Sequence, residues 1–195
     1  MTKKIVFCFI ICHLLLYTCN NPKQKKQTEK YISNSLYIEQ GRDLAFKTKA
    51  ILGKNLIGAL STNGTEYALD FCSTKAIHLT DSMSNALNSK IKRVSDKNRN
   101  PNNAANKREL VYINKTKAAI SKGENPTPEL NEINDKLLGY YPIISNEMCL
   151  QCHGQKNVDI LPKTITKIDS LYPNDKAFGY KTNELRGIWV VEIEK

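Results

Sequence analysis

Cys149, Cys152 and His153 form the sequence Cys-Leu-Gln-Cys-His, and this spacing of two thiols and an imidazole indicates one particular chemistry. Two thiols three positions apart can add to the two vinyl groups at one edge of a porphyrin, and the adjoining histidine can then ligate the iron. At the chain's own residue frequencies, the motif is expected about 0.003 times by chance. The motif therefore predicts one covalently attached haem c, held by Cys149 and Cys152 and ligated by His153.

Other uses of the Cys-x-x-Cys pair require features that the sequence lacks. A disulfide or a thioredoxin-like redox pair does not need the following histidine, and no βαβ pattern surrounds the pair. Half of a structural zinc site would need two further ligands at similar spacing, for which only Cys72 and His78 are available. Both alternatives are therefore weaker than haem attachment.

A second axial ligand of the iron has several candidates in the sequence. Met148 directly precedes the motif and cannot readily reach the opposite face of a haem. His78 and Met83 lie on different faces of a helix predicted over residues 66–89, and their ordinary roles would be a surface residue and a packing residue. Cys72 lies in an apolar stretch, where a buried, unreactive thiol is the alternative. The residues themselves leave this ligand open.

The segments that must position these side chains are helical early in the chain and extended later. Side chains recur every four residues from 38 to 60, which predicts an amphipathic helix (Leu44, Thr48, Leu52, Leu56 and Leu60). Asn63-Gly64 should end it. Further helices are predicted over 66–89 and 104–122, and strands over 92–95, 136–145 and 185–193. This order favours an α+β fold over a parallel doubly wound sheet.

The first residues have the pattern of a bacterial export signal. Lys3 and Lys4 precede an apolar run over 5–16, which is too short for a spanning helix. Leu-Tyr-Thr-Cys at 16–19 is similar to a lipobox, in which Cys19 becomes the lipidated first residue. We therefore expect a signal peptide of lipoprotein type over 1–18 and a lipid anchor on the periplasmic side of a membrane. An uncleaved anchor or a non-lipid signal peptide would also export the chain.

Export changes the meaning of the six cysteines. Cys8 and Cys12 leave with the signal and Cys19 carries the lipid, so the folded part keeps three cysteines, one more than the haem motif uses. An odd number cannot form a complete disulfide framework in an oxidising compartment, so Cys72 needs another explanation. Residues 19–34 read as a polar tether, and residues 35–195 as the haem domain.

Composition and charge exclude some classes of protein. Hydrophobic residues at 41% and charged residues at 25% exclude wholesale disorder and collagen-like structure. The formal net charge of +10 permits an acidic partner without identifying one. Nucleic acid is not an expected partner, because no aromatic residues interleave the basic residues of the tether and the predicted compartment holds no nucleic acid.

The chain resembles the Tll0287-like haem domains, which are small c-type haem domains with a PAS-like fold, found alone or as the sensor part of bacterial histidine kinases. The similarity covers about residues 35–193. Two stretches are specific, Arg-Asn-Pro-Asn-Asn and Tyr-Pro-Asn-Asp-Lys-Ala-Phe-Gly-Tyr. The segments that carry it are 68–73, 93–104, Glu109, 142–143, 149–154, 172–180 and 185–187.

The resemblance implies a PAS-like α+β domain with long N-terminal helices and a small antiparallel sheet. It also implies that His153 and Cys72 are the two iron ligands. Two departures are Lys92, where the family tends to have arginine, and Asn183, where a turn glycine is usual. Asparagine tolerates the left-handed conformation, so the turn should survive.

The resemblance also directs attention to Arg93 and Arg99, which flank the shared loop. Arginine pairs well with carboxylates, so either could hold a haem propionate; a solvated surface arginine is the alternative. We expect electron transfer or redox signalling with a redox partner protein that the sequence does not identify. A sensor of redox state or of a small gas, acting through a separate partner, is the alternative function. No acid–base pair is evident, so an enzyme is not expected.

Overall fold

The computed structural model describes residues 22–195, so the signal peptide predicted over 1–18 and the lipid site at Cys19 lie outside the described residues. The chain divides into two units, Met1–Ser33 and Asn34–Lys195. The described part of the first unit is helical. Within residues 22–195, no helix is both long enough and apolar enough to span a membrane.

The first helix, α1 (Pro22–Thr74), contains a sharp kink at the predicted break. Asn63 has φ −139° and Gly64 has φ 77°, so two helical segments meet at a left-handed glycine. The expectation that Asn63-Gly64 ends the first helix is therefore confirmed. Helix also extends through the predicted tether from Pro22 onward, where neither glycine nor proline interrupts residues 23–40.

The helices after α1 are shorter. α2 (Ala76–Ala86) follows a turn at Lys75, so the single helix predicted over 66–89 is in fact two. α3 (Lys107–Ser121) begins at a capping box in which the Asn106 side chain accepts from the Glu109 N–H and Glu109 binds the Asn106 N–H. α4 (Glu147–His153) carries the cysteine motif, and α5 (Pro162–Leu171) follows it.

Four antiparallel strands form one sheet in the order β1-β4-β3-β2. Their bounds are β1 (Ile91–Val94), β2 (Glu129–Ile133), β3 (Lys136–Ile144) and β4 (Leu185–Ile193). Asn134 and Asp135, both with positive φ, form the two-residue turn between β2 and β3. The turn at Asn183 also has positive φ, at 64°, as predicted. The fold is α+β with long N-terminal helices, which confirms the predicted class.

The central strand β4 is buried on both faces of the sheet. Trp189 and Val191 pack with Ala45 and Leu52 of α1 on one face. On the other face, Ile188 and Val190 pack against α3, whose inward side chains include Tyr112 and Ile113. Two cores therefore share one strand, because successive side chains of a strand point to opposite faces.

Gly187 of β4 provides a test of this packing. An added Cβ would lie 2.6 Å from the Val94 carbonyl oxygen on the neighbouring strand. We expect Gly187→Ala to lower the free energy of unfolding by about 1–3 kcal/mol, because the two strands must separate to admit the methyl group. The measurement is urea unfolding followed by circular dichroism.

The same substitution at Gly58 is the control for Gly187→Ala. Gly58 is exposed within α1, and no heavy atom lies within 4 Å of its added Cβ. Gly58→Ala should raise stability by about 0.5–1 kcal/mol, since alanine is the better helix former. Equal effects of the two substitutions would contradict the close strand contact.

Candidate functional site

The cysteine motif forms the short helix α4. The Asn146 side chain caps it, with Oδ1 3.2 Å from both the N–H and the Sγ of Cys149. Positions three apart on a helix lie on one face, so Cys149 and Cys152 share a face. The helix ends at Gly154, where an added Cβ would lie 2.7 Å from the Leu150 carbonyl oxygen. A side chain at 154 would therefore disturb the turn that follows the motif.

The ring of His153 is fixed by the segment that precedes β4. Its Nδ1 lies 2.7 Å from the Ala177 carbonyl oxygen. The Tyr180 ring stands edge-on to it at 6.4 Å between centroids, and the Tyr180 N–H donates to the His153 carbonyl. Because a carbonyl only accepts, Nδ1 must carry the proton and Nε2 keeps a free lone pair. Nε2 is thus the atom of this ring that can bind a metal.

The surroundings of His153 disfavour its protonated form. Burial lowers the pKa of His153 well below its ordinary value, and the positive charges of Arg186 and Arg99 act in the same direction. A neutral imidazole is the form that coordinates metals. Burial and the neighbouring charges therefore favour the neutral imidazole, and the hydrogen bond to Ala177, although it raises the pKa, selects the tautomer whose Nε2 is free.

Cys72 lies in the part of α1 that follows the kink. One helical turn away, Leu69 packs against Ile160 and Ile168, and Cys152 touches the same cluster. Burial raises the pKa of the Cys152 thiol to about 11, and the Cys72 thiol contributes to that rise. The fold therefore brings Cys72 to the motif from about eighty positions away in the chain.

The Cys72 thiol is half-buried and not in a disulfide. Burial raises its pKa, while the charges of Arg93 and Arg99 lower it. The thiol is therefore protonated at neutral pH in the polypeptide, but it lies within reach of positive charges that stabilise a thiolate.

Three arginines surround these side chains. Arg93, on β1, lies over the Trp189 ring at 5.5 Å, and Arg186, on β4, lies over the Tyr180 ring at 5.3 Å. Burial lowers the pKa of both guanidinium groups. The Nε atoms of Arg99 and Arg186 are buried and have no hydrogen-bond partner among the described residues. Such unpaired buried donors are rare unless a ligand uses them.

Arg99 is committed to the protein through its other nitrogen. Its Nη2 donates to the Cys152 carbonyl at 2.6 Å and to Asp175 Oδ2 at 3.0 Å, and it lies 3.4 Å from the Ala177 carbonyl. Arg99 and Asp175 are almost completely buried. One of the two arginines predicted to hold a propionate is thus also part of the loop structure around His153.

The other candidate ligands lie on α2 and within α4. His78 is exposed on α2 and Met83 is half-buried there, while Met148 is 36% exposed. In the part of the chain that the structure describes, no three His, Cys, Asp or Glu side chains form a metal-binding group. Sequence reasoning did not select Arg186 or Asp175, although both lie in segments shared with the resembled family. Their contacts to distant residues gave no local signal.

Comparisons with known proteins show the family and the fold of the chain. The family model described as Tll0287-like, Tll0287, matches residues 21–194. A crystal structure of the cyanobacterial heme-protein Tll0287 matches with a TM-score of 0.59 and 22% identity, over 80% of this chain and 95% of that chain. This likeness shows the fold. No curated protein matches the chain.

A substitution at Glu66 tests how the part of α1 that contains Cys72 is held in place. Its carboxylate accepts from Thr164 Oγ1 at 2.5 Å and pairs with Lys163 at 3.1 Å, and the hydrogen bond to Thr164 lowers the Glu66 pKa. A lowered pKa stabilises the fold above the unfolded value, about 4.3, and this contribution is lost as pH falls through the folded value. Glu66→Gln should therefore cost about 1 kcal/mol at pH 7 and less at pH 3, by urea unfolding.

The matched control is Glu124→Gln, at an exposed carboxylate after α3. It should change stability little at either pH. A Glu66→Gln effect that is the same at pH 7 and pH 3 would contradict the ionised hydrogen bond.

Proposed function

Because the chain belongs to the Tll0287-like family, we propose that it is an exported mono-haem c-type cytochrome that acts in electron transfer or redox signalling. Cys149 and Cys152 would hold the haem covalently, His153 would be one axial ligand and Cys72 the other. The Tll0287 structure is titled a heme-protein, and the Cys-x-x-Cys-His motif supports covalent attachment in this chain.

One observation carries the proposal, the 2.7 Å hydrogen bond between His153 Nδ1 and the Ala177 carbonyl. A histidine that binds metal through Nε2 ordinarily donates its other N–H to a carbonyl or carboxylate, which fixes the tautomer and the ring orientation. A histidine whose only role was packing would not need this arrangement directly after two clustered thiols. The polypeptide thus has the ligand in its binding form.

The proposed role of Cys72 as the second axial ligand is supported by the charges around it. Thiols bind metals as thiolates, and metal coordination deprotonates them. Arg93 and Arg99 stabilise the anion, although burial raises the pKa of the free thiol. Cys72 would therefore be a thiolate only while it binds the metal, because burial favours the protonated thiol in the free polypeptide.

The arginine cluster fits the two propionates of a haem. Arg93, Arg99 and Arg186 contribute three positive charges, and Asp175 contributes one negative charge, which leaves two positive charges beside the motif. Buried charges require partners, and two propionates supply two negative charges. The unpaired Nε atoms of Arg99 and Arg186 are donors suited to carboxylates.

Bound haem supplies a one-electron Fe(III)/Fe(II) couple. Two protein ligands would fill both axial positions and leave none for a substrate, so we propose a carrier or signalling protein and not an enzyme. Lipidation at Cys19 would place it at the periplasmic face of a membrane, near a redox partner protein. The polar segment before the haem domain would then separate it from the lipid surface.

A sensor is the second candidate, and the raised pKa of Cys72 favours it. Cys72 would hold the iron as a thiolate, and burial, which raises the pKa of this thiol, would favour the protonated form that does not bind metal. Loss of the sulfur would free one axial position for a small gas. Movement of Cys72 would be transmitted through α1 to a separate partner protein.

Haem attachment and the axial ligands are tested by one set of spectra. The mature chain, expressed with the haem-attachment machinery, should retain haem through denaturing electrophoresis. Its oxidised form should give the low-spin spectrum of a thiolate-ligated iron. Cys72→Ala should abolish that signature, because Cys72 is the one thiol of the described residues that haem attachment would not use.

His78→Ala and Met83→Ala are the matched controls, and each should leave the spectrum unchanged. A spectrum that Cys72→Ala does not alter would remove Cys72 as a ligand. Haem lost during denaturation would exclude covalent attachment.

Carbon monoxide distinguishes the carrier from the sensor. If the protein is a carrier, the reduced wild type should not bind carbon monoxide, because both axial positions are filled, whereas reduced Cys72→Ala should bind it. Absorbance at increasing gas concentration measures this. Binding to the reduced wild type at the same affinity as to the variant would favour the sensor.

A further inference from the structure

Arg99 joins the two backbone segments that hold His153. Its Nη2 donates to the carbonyl of Cys152, the residue before the histidine, and approaches the carbonyl of Ala177, which accepts the histidine's Nδ1–H. The same nitrogen pairs with Asp175 at 3.0 Å. We propose that the Arg99–Asp175 pair is a positioning unit that fixes the orientation of His153 and sets the midpoint potential of its iron. The inference rests on the proposed haem attachment.

Asp175 connects the two ends of this unit. Its Oδ1 accepts the Ala177 N–H at 2.8 Å while its Oδ2 pairs with Arg99. One carboxylate therefore fixes both the guanidinium and the residue whose carbonyl accepts from His153. The side chain of Asp175 is 3% exposed and that of Arg99 is 9% exposed, so water cannot readily replace either contact.

The Ala177 carbonyl is shared between two donors, the imidazole of His153 and the guanidinium of Arg99. A cationic donor draws electron density from the carbonyl and weakens its bond to the imidazole. Without that donor, the carbonyl accepts more strongly from Nδ1–H, and the imidazole becomes a more electron-rich ligand. Electron-rich ligands stabilise the ferric state, so the unit holds the potential higher than the carbonyl alone would.

The charge of Arg99 acts in the same direction. A nearby positive charge disfavours the oxidised iron, which carries one more positive charge than the reduced iron. Charge alone would not need the three acceptors around Nη2, and it would be retained by lysine. Charge-conserving variants therefore separate a positioning role from a purely electrostatic one.

The experiment measures the midpoint potential of the mature, haem-loaded chain by spectroelectrochemical titration, after denaturing electrophoresis has established covalent haem in the wild type. Arg99→Lys and Asp175→Glu keep the net charge but cannot keep the contact geometry. Arg99→Lys should lower the equilibrium constant for reduction several-fold, because the Ala177 carbonyl loses its second donor, and Asp175→Glu should shift it by more than twofold. Arg99→Gln, which also removes the charge, should lower it about tenfold, which is about 59 mV for one electron.

Asp96→Glu is the matched control. Asp96, in the loop after β1, pairs with Lys117 of α3 at 2.5 Å, so the same kind of substitution is made without touching either residue that supports His153. The equilibrium constant for reduction of Asp96→Glu should stay within twofold of the wild-type value. If Arg99→Lys fails to accumulate with haem, Asp175→Glu provides the same charge-conserving test.

The two possible failures are distinct. A wild type without covalent haem overturns the proposed function, and the inference with it. A haem-loaded wild type whose charge-conserving variants stay within twofold of it overturns the positioning role alone and leaves haem attachment in place.

Discussion

The hydrogen bond from His153 Nδ1–H to the Ala177 carbonyl is the contact on which the arrangement of the site depends. It decides which nitrogen of the imidazole carries the proton, and so which nitrogen can bind a metal. The neighbouring backbone bonds from Gly179 and Tyr180 to the end of α4 hold the two segments together at this point. The Arg99–Asp175 pair links the same two segments through the Cys152 carbonyl and the Ala177 N–H.

The central sheet explains why that junction can be rigid. β4 is buried on both faces and lies between β1 and β3, so the loop that leads into it has a fixed end point. Arg93 and Arg186 come from the adjacent strands β1 and β4, which places two guanidinium groups beside the motif. Their burial costs free energy unless anions accompany them, and this is the physical link between the fold and an anionic cofactor.

Local sequence signals were sufficient for several elements. The strand predicted over 185–193 coincides with β4, and Asn63-Gly64 located the kink in α1. Weak or competing local signals account for the differences. β2 has an irregular burial pattern, so its sequence does not alternate cleanly, although the Asn134-Asp135 turn after it was a usable hairpin signal. The predicted tether has helix-compatible residues, and its polar composition did not indicate helix.

The sequence by itself determined which chemistry can be proposed for the motif, because the proposed attachment of two thiols and the proposed ligation by one histidine depend on spacing along a single short segment. It also identified Cys72 as the cysteine without another role. Only the tertiary structure decided which arginines meet the motif and what Arg99 contacts there, since these pairings join residues far apart in the chain. Asp175 lies 76 positions from Arg99, and no local pattern can specify a contact that exists only after the sheet and its loops have packed.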